Sequence, residues 1–177
     1  MADVRDKSAA NSFLPLGREL RLRFFTPWLQ VSFWAYLILG IVLCGGVAIW
    51  VEVLKYLAHI GGAESIRTAI NAYFPAIGCA AAVQLAFAAE TKKYLLSFSL
   101  LIAALFAAFS LVVLLLERTP VSSFSFVAGI VGSLFAVLTW WIANGLEPTY
   151  QDIVDPEAAV GGATQDPLPG DTSDFKI

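Results

Sequence analysis

The stretch LAFAAETKKYLLSF, residues 85–98, places Glu90, Lys92 and Lys93 between two long apolar runs. Inside hydrocarbon such a trio would be an ion-coordinating or proton-carrying site; in water it is a turn between helices. Burying each charge at a bilayer centre costs about 2.5–3.5 kcal/mol. Both flanking runs are long enough to cross without drawing the charges inward, so the expectation is a wet turn. A second polar set, Glu52, Lys55 and His59, falls at i, i+3 and i+7 in WVEVLKYLAHI. His59 beside Glu52 would be an acid–base pair, but a solvated helix end is the plainer reading, because exposed pairs of this spacing are commonly inert. Enzymatic chemistry would need His59, Glu52 and Arg67 to converge.

Other routes to catalysis are poorly supplied. Cys44 and Cys79 each lie in the middle of an apolar run and read as small buried hydrophobes rather than a redox pair. One histidine and no Cys/His cluster give no metal site, and no glycine-rich phosphate loop precedes a helix. The expectation is therefore a protein that is not an enzyme and uses no cofactor. No basic patch interleaved with aromatics suggests a nucleic-acid partner.

The polar residues within apolar segments are the remaining candidates. Asn71, Tyr73, Pro75 and Gln84, with Arg67 just before its outer end, make Ala69–Ala89 the most polar of the apolar stretches. Thirteen residues separate Asn71 from Gln84, about 1300° on an ideal helix, so they point to roughly opposite faces. Gln84 needs a partner in hydrocarbon, expected from Ser97, Ser99 or Ser110, or from a neighbouring subunit. Pro75 lacks a donor and is expected to bend or unwind the outer end. Small residues offer close helix contact: Gly78 and Ala80–Ala82, then Ala104 and Ala108, then Gly129/Ser133 and Gly132/Ala136. They serve either packing within one bundle or, through Gly129/Ser133, homo-oligomers.

Composition fixes the class that must position these groups. Hydrophobic residues make up 58% and charged residues 14% of 177, unlike a soluble globule; mean hydropathy is +0.74. Four stretches, Leu29–Val51, Ala69–Ala89, Tyr94–Leu116 and Phe124–Ala143, meet the length of about 20 residues that a crossing requires. The expected fold is an all-α membrane protein, a four-transmembrane-helix bundle with short loops. It spans residues 28–146, between a basic segment (1–27) and an acidic tail (147–177) expected to be mostly disordered. The charge-free run Trp28–Val51 is too long for the core of a secretory signal and lacks a following cleavage motif, so the N-terminus is expected to be retained. Thr26-Pro27 reads as the cap of the first span and Gly61-Gly62 as the end of its helix.

Lysine and arginine set the orientation. Eight of them fall on the side of the N-terminus and Lys92 turn against three on the other, which places both termini in the cytoplasm. Trp28, Trp34, Trp140 and Trp141, with Tyr94, are expected in one aromatic belt, and Trp50, Tyr56 and Tyr73 in the other. The segment LGRELRLRFF suits an anionic inner leaflet. Tyr150, Ile153 and Val154 are the apolar points of a tail that either docks briefly or stays inert. Two functions remain in view. One is action through association in the bilayer, as an oligomeric pore-like or membrane-perturbing effector or a small subunit of a membrane complex. The other is a transporter or channel for a small neutral or weakly polar solute, lined by Gln84, Asn71 and Tyr73.

Overall fold

The computed structural model describes residues 13–89, 92–117 and 122–152. They are helical, with no strand among them. A short helix α1 (Phe13–Phe25) runs into a 3-10 turn (Thr26–Leu29) and a second helical stretch, α2 (Val31–Ala35), which widens into a π-helix (Tyr36–Cys44). After Gly45-Gly46 come α3 (Val47–Leu57), α4 (Ala63–Phe87), α5 (Lys93–Glu117) and α6 (Ser122–Asn144). A last 3-10 turn covers Pro148–Tyr150.

Three of these helices, α4, α5 and α6, are long and apolar enough to cross a bilayer. Phe13–Leu29 and Val31–Cys44 pass the same test only as a pair bent by 92°. The bend has a local cause, since Gln30 is extended (φ −99°, ψ 112°) and interrupts the helical hydrogen bonding. Thr26 therefore does not cap the first span: its hydroxyl donates to the Leu22 carbonyl at 2.8 Å, and the helix restarts at Val31. At the other end α3 stops at Leu57, before Gly61-Gly62. His59 takes a left-handed φ of 58°. The Ile60 N–H reaches the Lys55 carbonyl at 3.0 Å and the His59 N–H reaches Tyr56 at 3.1 Å, a Schellman closure with histidine in the glycine position. His59 thus lies past the helix and off the Glu52/Lys55 face.

Helix α4 is the hub and touches α3, α5 and α6. Its buried face carries Ile70, Phe74, Gly78, Ala81, Ala82 and Leu85, at the three- and four-residue steps of one helical stripe. Gly78 lies under the Phe106 ring of α5, where an added methyl would come within 2.7 Å of it. Gly132 of α6 does the same for Phe74. Pro75 does not interrupt α4, which continues helical from Ala63 to Phe87. The core divides in two. At the end near Lys92, Phe33, Leu37, Leu85, Leu95, Trp140 and Trp141 pack together. Toward the far end Phe74, Phe106, Val113, Ala128 and Ala136 form a second cluster.

Candidate functional site

The candidate residues separate into three places. The first lies between α4 and α6. Asn71 Nδ2 donates to the buried Ser125 Oγ at 3.0 Å. Its Oδ1 is buried without a hydrogen-bond partner and sits against Gly129, where any Cβ would collide with it. Ser133 turns its hydroxyl to the Gly129 carbonyl at 2.8 Å. Gly129 is therefore filled from within the chain, by Asn71 and Ile70. Tyr73 turns elsewhere: its hydroxyl donates to the Ile41 carbonyl in the π-helix at 3.1 Å. Trp50 Nε1 donates to the adjacent Val42 carbonyl at 2.9 Å. Ile41 and Val42 lie in the last turn of the π-helix, where helix carbonyls run out of backbone partners, and two side chains meet them here.

The second place is the Lys92 end, where most of the polar contacts missed from sequence lie. On α1 the inward row Leu16, Glu19, Leu20 and Arg23 has a three- and four-residue spacing. Arg23 is only 5% exposed. Its Nε and the Lys92 Nζ both donate to Glu19 Oε1, at 3.2 and 2.9 Å, and its Nη1 donates to the Ala143 carbonyl near the C-terminus of α6 at 3.0 Å. Burial works to raise the Glu19 pKa, but the ammonium of Lys92 and the guanidinium of Arg23 outweigh it and hold the carboxyl below its ordinary value. Lys92 is thus an anchor for α1 as well as part of a turn. Lys93 is exposed at the start of α5, and Glu90 lies outside the described residues.

Gln84 belongs to this end too. Its Oε1 accepts from Asn144 Nδ2 of α6 at 2.9 Å, not from a serine of α5. Ser97 and Ser99 spend their hydroxyls on carbonyls of their own helix, Lys93 and Leu96, as serine in a helix commonly does. Above the pair, Trp141 donates from Nε1 to the Phe24 carbonyl at 2.9 Å and has Phe24, Trp28, Phe33 and Trp34 around it. Trp140 and Trp141 are 5% and 7% exposed, so they are core residues rather than belt anchors. Gly145 passes so close to the Arg23 carbonyl that a methyl has no room.

The start of the acidic tail returns to this cluster. Tyr150 packs on Tyr36, with ring centres 4.7 Å apart, and near Phe33 and Trp140. Asp152 accepts from the Val31 and Ser32 N–H groups at 2.6 and 3.0 Å, while its own N–H donates to Gln30 Oε1 at 2.8 Å. This is an N-cap for α2 delivered from about 120 residues away. Hydrogen bonds from Ser32, through its side chain and backbone, and from the Val31 N–H hold the Asp152 carboxyl below its ordinary pKa. Ile153 and Val154 lie outside the described residues.

The third place is the far end. A groove of about 680 Å³ between α3 and α4 is lined by Glu52, Glu64, Ser65 and Thr68 among small apolar residues. Glu52 pairs with Lys55 at 2.6 Å, and His59 is not part of the lining. Arg67 is half-buried on α4 and also outside that lining. Among the described residues no group of histidine, cysteine or carboxylate side chains is arranged for a metal ion. Both cysteines are free; Cys79 is half-buried, whereas Cys44 is exposed at the end of the π-helix rather than buried as expected. Comparison with protein-family models, with curated proteins and with solved structures finds no match.

Proposed function

We propose that this chain is a non-enzymatic, multi-pass integral membrane protein that acts by associating with other helices in the bilayer, with its own copies or as a small subunit of a membrane complex. The fourth crossing in this reading is the composite helix from Val31 to Leu57, and both termini face the cytoplasm, as the lysine and arginine distribution favours. A pore-like or membrane-perturbing assembly is the form of action this reading includes.

One observation carries it. Although α4 is the hub, it leaves the row Ala72, Ala76, Ala80 and Gln84 exposed, each four residues from the last. Lipid offers helices no hydrophobic incentive to associate, so contact depends on small residues that let backbones approach and on polar groups that bond across. This row has both. The small residues on the other face, Gly78, Ala81 and Ala82, are already used inside the chain, as is Gly129. Helix α5 adds Ala104 and Ala108, exposed where its own packing runs through Leu95, Ser99, Phe106 and Val113.

The transport reading has less support. Asn71, Tyr73 and Gln84 each take a different internal partner, Ser125, Ile41 and Asn144, rather than facing one route. Cross-linking in native membranes followed by native mass spectrometry tests the association reading. The expected result is a defined oligomer or partner complex that loses at least ten-fold of its population in Ala76→Leu/Ala80→Leu, whose changes lie outside the core. Monomers alone, with nothing co-purifying, would refute it.

A further inference from the structure

Helix α1 divides its arginines. Arg23 turns in and is consumed by Glu19 and Ala143. Arg18 and Arg21 turn out, in the row Leu14, Arg18, Arg21 and Phe25, and among the described residues neither has an ion-pair partner. The one acid of this helix, Glu19, is already shared by Arg23 and Lys92. Arg18 and Arg21 line a groove of about 390 Å³ with Leu22, Phe25 and Thr26. Arg21 is held with its guanidinium 5.9 Å from the Phe25 ring centre. Thr26 has turned its hydroxyl back to Leu22, so the two guanidinium groups are the donors the groove presents.

The surroundings say what such a pair meets. The 92° bend at Gln30 lays α1 across the direction of the span that follows. Leu14 and Phe25, at either end of the arginine row, are 72% and 59% exposed. A helix lying in an interface with arginines between apolar side chains can sink the apolar groups to the acyl boundary while the guanidiniums stay at phosphate depth. We propose that the Arg18–Arg21 groove is a binding site for the headgroup of an anionic phospholipid, with Leu22 and Phe25 on the upper part of its acyl chains. The proposal rests on the membrane reading above but not on association. It assigns α1 two faces, one locked to the bundle through Glu19 and Arg23 and one selecting the lipid around it.

The test offers the detergent-solubilised full chain equal amounts of phosphatidylglycerol and phosphatidylcholine and counts retained lipid by native mass spectrometry. Wild type should retain phosphatidylglycerol preferentially, by about five-fold for each arginine near the anionic headgroup. Arg18→Gln/Arg21→Gln should bring the two lipids to parity, while Lys55→Gln at the far end keeps the preference. Parity in wild type, or an unchanged preference in the double variant, would overturn the proposal. The same spectrum reads oligomer mass, so a monomer that still selects phosphatidylglycerol counts against association alone, and an oligomer without selectivity counts against the lipid site alone.

Discussion

Arg21 and Arg23 are two positions apart on one helix and have opposite fates, one exposed and one buried. The difference follows from geometry: two residues on a helix are about 200° apart, so only one of them can share the face of Glu19. The i, i+4 spacing of Glu19 and Arg23 carries that signal, but the arginine-rich composition of LGRELRLRFF points all three arginines to the leaflet and hides it. The Ala143 carbonyl and Lys92 were not legible, because nothing local to α1 announces either. Gln84 illustrates the same limit. Its need for a partner is evident from residue type, while its choice of Asn144 depends on how α4 and α6 cross. His59 yields a sharper expectation. Its left-handed φ of 58° strains any side chain with a Cβ, and its imidazole is exposed. His59→Gly should therefore stabilise the chain by about 1 kcal/mol, seen as a higher unfolding midpoint in detergent. A midpoint that stays put or falls would mean that the imidazole makes a contact worth more than the strain.

Beyond the apolar stripe that packs along α4, carboxylates fasten elements at their ends. Helix α2 begins with Asp152 supplying its cap, and α1 is fastened by Glu19, so two carboxylates hold the Lys92 end together. Thr26-Pro27 has the residue types of a cap, but the extended Gln30 moves the start to Val31, beyond the reach of Thr26. Asp152→Ala should speed amide exchange at Val31 and Ser32 relative to the middle of α4. Equal exchange would show that the cap holds nothing. Acid should act in the same direction. Both carboxyls have folded pKa values below their ordinary ones, so their stabilisation is complete above the unfolded values, about 4.3 for glutamate and 3.9 for aspartate. It is lost as pH falls through the lower folded values. Protection of Val31 and Ser32 should be flat between pH 5 and 8 and decline below about pH 4.

At the scale of the whole molecule apolar length is the strongest signal: α5 and α6 match the expected stretches within two residues at each end, while α4 starts six residues earlier than expected and stops two short. The first apolar stretch was harder. Its composition promises one straight helix from Leu29, but the chain breaks at Gln30, widens to a π-helix through Cys44 and passes Gly45-Gly46 before α3. Hydropathy does not register pitch. Nor does it tell a tryptophan at an interface from one in a core, and Trp140 and Trp141 went to the core because Phe24 and Phe33 surround them. The small residues Gly78, Ala80, Gly129 and Gly132 were legible, but the outward row through Ala72 and Ala76 and the inward turn of the three glycines needed the packing.

The membrane arrangement underlies both the association and the lipid proposals, and labelling of single engineered cysteines from either side of sealed membranes tests it most directly. In a chain with Cys44 and Cys79 replaced by alanine, a cysteine at Lys93 or Thr149 should react with an impermeant reagent only from the cytoplasmic side, and one at Glu64 only from the opposite side. Labelling of Lys93 and Glu64 positions from the same side, or a chain that leaves the membrane without detergent, would contradict it.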